Sequence, residues 1–163
     1  MTHVSFPEGE ALKSLFVQFD EVCFPEEMHL DDEELLEFFG RNLIGILLTE
    51  NDELVALGIL MKEEEVAEEI EDFDPLFIAS EDGYYSYSVA VKPEFEGKGY
   101  ASTMLQLIRQ TATERGGKQL TAHVRTSNGW HKKRAKLLNP DVRRTVPNAW
   151  EIDGDVEFQL LRL

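Results

Sequence analysis

The sequence predicts one domain, residues 1–163, of the α/β class with a mixed sheet and the element order β-α-α-β-β-β-α-β-α-β-β. Three observations lead to this prediction. Apolar residues recur at helical spacing in some segments and alternate with polar residues in others. The two kinds of segment follow one another without a linker or an internal repeat. A chain of 163 residues is long enough to bury one core.

Two helices are predicted near the start of the chain. The first covers residues 10–24 and ends because the ring of Pro25 disfavours helical geometry at the residue before it. The second covers residues 31–39, with acids in its first turn and Gly40 as its stop. The apolar positions of the first helix are Leu12, Leu15, Phe16, Phe19 and Val22.

A hairpin and an acidic segment are predicted next. Strands over residues 43–48 and 54–61 are joined by a polar turn at residues 50–53. Residues 63–83 are dense in acid but include apolar side chains that a disordered segment would not need. We therefore expect this acidic segment to pack partly on the domain, as a loop outside the regular elements.

The second half predicts a strand, a helix and a further strand around glycines. Residues 84–91 alternate as a strand, and a helix runs from Gly99 or Tyr100 to about Arg115. Gly116 and Gly117 supply a left-handed end to that helix. One helix face carries Ala101, Leu105, Ile108 and Ala112.

The last elements are predicted as a strand, a helix and two strands. The strand covers residues 119–125, and Ser127 or Asn128 caps a helix that ends at Leu138. The final strands cover residues 144–152 and 156–161, joined at residues 153–155.

The charge is distributed unevenly along the chain, whose net charge is −16. Residues 1–83 carry 24 acidic and 3 basic side chains, a balance of −21, whereas residues 84–163 carry 8 and 13, a balance of +5. This asymmetry predicts a cationic partner for the first half and an anionic one for the second. The alternative is that the acidic residues only keep the protein in solution.

Several classes of partner and location are disfavoured by composition. No basic surface is interleaved with aromatic residues, so nucleic acid is not expected. No run approaches the roughly 18 apolar residues of a membrane helix, and the first residues do not form a signal peptide. The single Cys23 forms no internal disulfide, no zinc spacing occurs, and an apolar role is favoured for this cysteine. We expect a cytoplasmic, metal-free monomer or homodimer.

The stretch VAVKPEFEGKGYA, residues 89–101, places two glycines between a strand and a helix. The first N–H groups of a helix have no internal partners, so such a loop can bind an anion through its backbone. Gly97 and Gly99 can take positive φ and let a phosphate approach the amides. Neither the Walker A pattern nor the full dinucleotide fingerprint is present. A tight turn without a ligand is the alternative reading of these residues alone.

These residues, with ERGGKQLTAHVRTSNGW after them, resemble the GNAT superfamily of acetyl-CoA-dependent N-acetyltransferases. The loop matches the family pattern at both glycines and at Ala101, and departs at Glu96, where the family usually has Gln or Arg. The resemblance implies that the loop amides bind the pyrophosphate of coenzyme A and that Asn128 meets its pantetheine arm. The predicted cofactor-binding residues are Val89, Ala90, Val91, Glu96, Gly97, Lys98, Gly99, Tyr100, Ala101, Ser102, Asn128, Trp130 and Lys133.

The catalytic residues are less clearly marked. The resemblance implies that N–H groups of residues 89–91 polarise the thioester carbonyl. A protonated alkylamine also needs a base. The family's glutamate base aligns with Tyr85, and its tyrosine acid aligns with Ala135. We therefore take Glu26 and Glu27, acting through water, as candidate bases, and Tyr85 or Tyr87 as candidate acids. Sheet packing is the competing role for both tyrosines.

Two histidines also fall in this part of the chain. His123 lies in the middle of a predicted strand, where a buried, hydrogen-bonded role competes with a role as base. His131 is expected to be exposed on its helix.

The resemblance therefore predicts an N-acetyltransferase that moves an acetyl group from acetyl-CoA to a primary amine. The acidic first half favours a cationic acceptor: a polyamine, a lysine side chain or an aminosugar. Two alternatives remain, a GNAT-like module that binds acyl-CoA without catalysis and an interaction protein with an acidic face.

Overall fold

The computed structural model describes residues 1–147, 149 and 154–163. The helices are α1 (Gly9–Cys23), α2 (Asp32–Phe39), α3 (Glu63–Glu71), α4 (Tyr100–Glu114) and α5 (Trp130–Leu138). The strands are β1 (Thr2–Ser5), β2 (Leu43–Glu50), β3 (Glu53–Lys62), β4 (Gly83–Val91), β5 (Gln119–Arg125), β6 (Val142–Val146) and β7 (Val156–Arg162). The strands form one mixed sheet in the order β1-β2-β3-β4-β5-β7-β6, which confirms the predicted α/β class.

The chain divides into two compact units. The first comprises Met1–Leu60 and Ser88–Ile108, and the second Met61–Tyr87 and Arg109–Leu163. Within the described residues, no helix combines the length and the apolar character needed to cross a membrane.

In the first unit, glycines let two helices lie close to the strands beneath them. A Cβ at Gly45 in β2 would come within 2.5 Å of Leu12 on α1, and one at Gly58 in β3 within 2.7 Å of Met104 on α4. Leu12 and Met104 are buried, so these contacts belong to the core. Larger residues at either glycine would push a helix away from its strand.

The second unit holds β5, β7 and β6 as an antiparallel group beside the start of β4. The parallel pairing of β4 with β5 covers Gly83–Tyr85 opposite Gln119–Thr121. Ser86 and Tyr87, which follow in the same unit, have no partner in this register. The strand therefore leaves its neighbour after three residues.

The acidic segment differs from the prediction because it contains the helix α3, which the predicted element order omits. Val66 and Ile70 are both buried and lie four residues apart, so they share the buried face of α3. Acids at the other positions masked this pattern in the sequence. Beyond the helix, Leu76 and Ile78 are 73% and 83% exposed, while Phe77 between them is buried.

Two boundaries and the assignment of one residue to an apolar face were also wrong. Strand β6 is Val142–Val146 and not residues 144–152, because Pro147 has no N–H to continue the ladder; Glu151 and Ile152 lie outside the described residues. Helix α5 begins at Trp130, one residue later than a cap at Asn128 implies, because Gly129 takes φ +74°. Val22 is 51% exposed, so it lies outside the apolar face of α1.

The remaining elements agree with the sequence within one or two residues. Helix α2 begins with a capping box, in which Asp31 accepts from the Glu34 N–H and the Glu34 side chain accepts from the Asp31 N–H. The β2–β3 turn has positive φ at Asn51 and Asp52, as expected for a two-residue hairpin. Gly116 takes φ +81° after α4.

Candidate functional site

The predicted loop between β4 and α4 has the backbone conformation that the two glycines suggested. Gly97 has φ +75° and Gly99 has φ +88°, a region that other residues rarely adopt. A Cβ at either position would have no atom within 4 Å, so both glycines face open space. The loop first makes a short 3-10 turn, Pro93–Phe95, which Phe95 anchors by its burial.

Backbone N–H groups at the start of α4 have no partner. Among the described residues, none accepts a hydrogen bond from the N–H of Gly97 or from those of residues 99–102. The first helical bond is donated by Thr103 to the Gly99 carbonyl, 3.1 Å away. These free donors add to the positive end of the helix dipole. The arrangement can bind an anion without any basic side chain.

Two side chains of the loop contact other residues of the first unit. Lys98 Nζ lies 5.1 Å from the centre of the Phe95 ring, which is a cation–π distance. The Tyr100 hydroxyl donates to the Glu50 carboxylate, and this bond raises the pKa of Tyr100. The Glu96 N–H donates to the Pro93 carbonyl, while its side chain is exposed.

Cys23 contacts the end of β4, within the first unit. Its thiol donates to the Val91 carbonyl at 3.4 Å. Burial raises the pKa of Cys23 to about 11, and the nearby Glu96 carboxylate adds to the shift. The thiol is half-buried and stays protonated near neutral pH, so it is a poor nucleophile.

The other predicted cofactor residues lie in the second unit, at the start of α5. Asn128 Oδ1 accepts from the Trp130 N–H at 3.0 Å, so it bonds the first N–H of α5 although Gly129 occupies the capping position. Lys133 Nζ lies 5.9 Å from the centre of the Trp130 ring. Asn128 and Lys133 are exposed.

Tyr85 belongs to a buried hydrogen-bonded chain in the second unit. His123 Nε2 lies 2.7 Å from Asp74 Oδ2, and His123 Nδ1 lies 3.0 Å from the Tyr85 hydroxyl. Arg144 binds Asp74 through two bonds of 2.8 and 2.7 Å. Because the ionised Asp74 only accepts, His123 donates from Nε2 and accepts from Tyr85 at Nδ1.

Burial shifts the pKa values of the residues in this hydrogen-bonded group. It lowers the pKa of His123 against the opposing effect of Asp74, and it raises the pKa of Tyr85 far above its usual value. Burial also acts to raise the pKa of Asp74, but the bonds from Arg144 and His123 outweigh it and the pKa falls. Tyr85 is 2% exposed and therefore shielded from solvent.

The remaining candidate acids and bases are more accessible. Tyr87 is half-buried and donates to Glu69 Oε1 at 3.3 Å. Glu26 and Glu27 are exposed on a 3-10 turn, Glu26–Met28, in the first unit. A surface hollow in that unit is lined by residues at the start of α1 and the end of α2, and no predicted site residue lines it.

Sequence reasoning missed two buried acids, Glu63 and Asp74. Glu63 is fully buried and accepts from the Ser80 N–H at 2.7 Å, from Thr121 Oγ1 at 2.7 Å and from Gln119 Nε2 at 2.9 and 3.0 Å. Burial raises its pKa. The apolar residues of the acidic segment were the signal that could have revealed these acids. A helix that packs through apolar residues also buries some of the residues beside them.

The mixed sheet and the glycine-containing strand–loop–helix are features of one class of protein, the acetyltransferases. The profile of the acetyltransferase (GNAT) family matches residues 10–133, and the chain therefore belongs to this family. Acetyl-CoA is the cofactor of the family, and the free loop amides fit its pyrophosphate. No curated protein matches the chain significantly.

Solved structures of GNAT proteins have the same fold. The ribosomal-protein-S18-alanine N-acetyltransferase of Escherichia coli is 16% identical with a TM-score of 0.75, over 99% of this chain and 94% of that one. An N-acetyltransferase of Staphylococcus aureus is 18% identical with a TM-score of 0.71, over 99% and 98%. A Salmonella typhimurium protein described as an acetyltransferase, with its cofactor acetyl-CoA, is 15% identical with a TM-score of 0.70, over 99% and 94%. At these identities, the likeness concerns the fold.

Proposed function

We propose that the protein transfers an acetyl group from acetyl-CoA to a primary amine of a cationic acceptor. The observation that carries the proposal is the row of free N–H groups at Gly97 and residues 99–102, beside two glycines with positive φ. These donors would hold the pyrophosphate of the cofactor. Backbone N–H groups of residues 89–91 would polarise the thioester carbonyl.

Each unit contains further residues that we propose as contacts of the cofactor. The capping side chain of Asn128 would contact the pantetheine arm. Trp130 and Lys133, which lie one over the other, would contact the far end of the cofactor. Lys98 would add positive charge at the loop from its position against Phe95. In this proposal, residues 1–163 act as one acetyltransferase domain in the cytoplasm, and a single cooperative unfolding transition would support the one-domain part.

The proton transfers would involve the more accessible candidates. We take Tyr87 as the group that donates a proton to the leaving thiolate, because it is half-buried whereas Tyr85 is only 2% exposed. Tyr85 would instead position the strand, because its hydroxyl is committed to His123. Glu26 and Glu27 would accept the amine proton through water, since both are exposed and lie in the first unit with residues 89–91.

A cationic acceptor is supported by the exposed acids. Helix α2 begins with three acids, Asp32, Glu33 and Glu34, after an acidic cap at Asp31. Glu26 and Glu27 precede them, so one short stretch concentrates negative charge. Such a surface attracts polyamines, lysine side chains and aminosugars and repels acidic acceptors.

The test is acetylation of a panel of amines, measured by release of the free thiol of coenzyme A. We expect faster turnover with polyamines, lysine peptides and aminosugars than with neutral amines of similar size. A rise in ionic strength should reduce this preference because it screens the charges. A preference for neutral or acidic acceptors would contradict the cationic assignment.

A second candidate function is a module that binds acyl-CoA without catalysis. The buried Tyr85 and the small Ala135 favour it, since neither position supplies an acid or base. A rise in melting temperature with acetyl-CoA but no thiol release with any amine would support this candidate.

A further inference from the structure

A buried arginine in the second unit has no counter-ion among the residues that the structure describes. Arg134 lies on the inner face of α5 and is 3% exposed. Its Nη1 donates to Gln159 Oε1 on β7 at 2.8 Å. No carboxylate among the described residues pairs with it. An arginine in such surroundings normally pairs with an anion, because burying an uncompensated charge is costly.

The contacts of Gln159 show why the arginine stays uncompensated. Gln159 is fully buried, and its Nε2 donates to the His131 carbonyl and to Glu157 Oε1, both at 2.9 Å. These bonds fix the amide so that only its neutral oxygen faces Arg134. Glu157 is itself neutralised by Arg143, through bonds of 2.7 and 3.1 Å.

Two side-chain nitrogen atoms of α5 lack partners among the described residues. Within the described part of the chain, Arg134 Nη2 and His131 Nδ1 are the buried side-chain nitrogen or oxygen atoms without a hydrogen bond. The residues are three apart on α5, so they share one face of the helix. Contrary to the prediction from sequence, the His131 ring is half-buried and not exposed. Burial also lowers the pKa of Arg134 to about 10.

We propose that Arg134 and His131 form a binding site for a phosphate group, which we call the α5 anion site. The free edge of the guanidinium presents N–H donors in the geometry that phosphate oxygens match, and the imidazole nitrogen provides a second contact. Exposed Lys132 and Lys133 on the next positions attract anions to this end of the helix.

The α5 anion site does not depend on the proposed transferase activity. It lies wholly in the second unit, and its ligand is defined by charge and hydrogen bonding alone. The competing account is a water molecule that accepts from Arg134 and donates to a neutral His131, which would satisfy both nitrogens without any anion.

The test is a titration of the full chain with inorganic phosphate, with chloride added to hold the ionic strength constant. Calorimetry gives the affinity, and thermal unfolding gives the melting temperature. The variant is Arg134→Met, which keeps a long apolar stem without the charge. Lys136→Met is the matched control, because Lys136 is an exposed cation on the same helix.

We expect saturable phosphate binding in the wild type and in Lys136→Met, and a loss of at least about tenfold in affinity in Arg134→Met. Equal phosphate responses of wild type and Arg134→Met would overturn the proposal. So would the absence of a phosphate response in the wild type, which would favour the water bridge.

A second variant decides the question if Arg134→Met does not fold. Arg134→Lys keeps the charge and loses the planar fork, so its phosphate affinity should fall clearly, and an unchanged affinity would overturn the site.

The phosphate could be free or belong to coenzyme A. A loss in Arg134→Met for coenzyme A but not for 3′-dephospho-coenzyme A would support the site and assign its ligand to the 3′-phosphate. A loss of affinity for inorganic phosphate without a loss for coenzyme A would support a site for the free ion.

Discussion

Replacing Gly99 by valine should separate cofactor binding from stability. At φ +88° a residue with a Cβ is strained by about 1–2 kcal/mol, and a branched side chain lies at the upper end. No atom lies within 4 Å of the new Cβ, so steric clash adds nothing in the free protein. For a chain of this size, 1 kcal/mol shifts the melting temperature by roughly 2–4 °C. Gly99→Val should therefore melt about 2–8 °C lower and remain folded.

The effect on the cofactor should be larger than the effect on the fold. The new side chain would occupy the open space at the loop whose free N–H groups are proposed to bind the pyrophosphate. Losing one bond to a charged group costs about 1.5–3 kcal/mol, so coenzyme A affinity should fall at least about tenfold. Calorimetric titration with coenzyme A measures it.

Gly116→Val is the matched control for this experiment. Gly116 follows the other end of α4, has φ +81°, and also has open space around its missing Cβ. The melting temperature of Gly116→Val should fall by a similar amount, and its affinity for coenzyme A should be unchanged. Unchanged affinity in Gly99→Val, or an equal loss in Gly116→Val, would refute the assignment of the loop.

Three further predictions test other parts of the site. Tyr87→Phe should lower kcat for thiol release about 10²-fold or more if it is the proton donor, whereas Tyr85→Phe should mainly lower the melting temperature because it breaks the bond to His123; equal kcat losses would contradict the distinction. Glu63→Gln should change the pH dependence of urea unfolding. The raised pKa of Glu63 means that its stabilising contribution is present below its unfolded pKa of about 4.3 and is lost as pH rises through the folded pKa. The variant should lack this decline and the exposed control Glu64→Gln should keep it; a decline of the same size in Glu63→Gln would refute the assignment. Cys23, with a pKa of about 11, should react with iodoacetamide far more slowly at pH 8 than free cysteine, and Cys23→Ala should retain activity; rapid alkylation of the folded protein would show that the thiol is not held protonated.

Much of the first unit could be predicted from sequence because its signals are local. The spacing of Leu12, Phe16 and Phe19 identifies α1, and Asp31 with Glu34 identifies the start of α2. The strand, the two glycines and the following helix identify the loop, because only glycine adopts such φ values readily. These features depend on residues a few positions apart.

Predictions failed where a residue's role depends on partners far along the chain. The α3 helix looked like a charged loop because Glu63 reads as a surface acid until Gln119, 56 residues away, donates to it. His123 could be assigned neither to catalysis nor to packing before Asp74, 49 residues away, was seen beside it. Arg134 gave no signal on a basic helix, since its burial depends on Gln159 from β7.

The sequence by itself determined the α/β class, the positions of most elements and the glycine loop that marks an acetyl-CoA-dependent family. It could do so because periodicity, caps and positive φ are properties of short segments. Only the tertiary structure decided which charged residues are buried, which tyrosine is committed to a histidine, and that Arg134 lacks a counter-ion among the described residues. Those outcomes follow from desolvation and hydrogen bonding between distant segments, which no short stretch of sequence encodes.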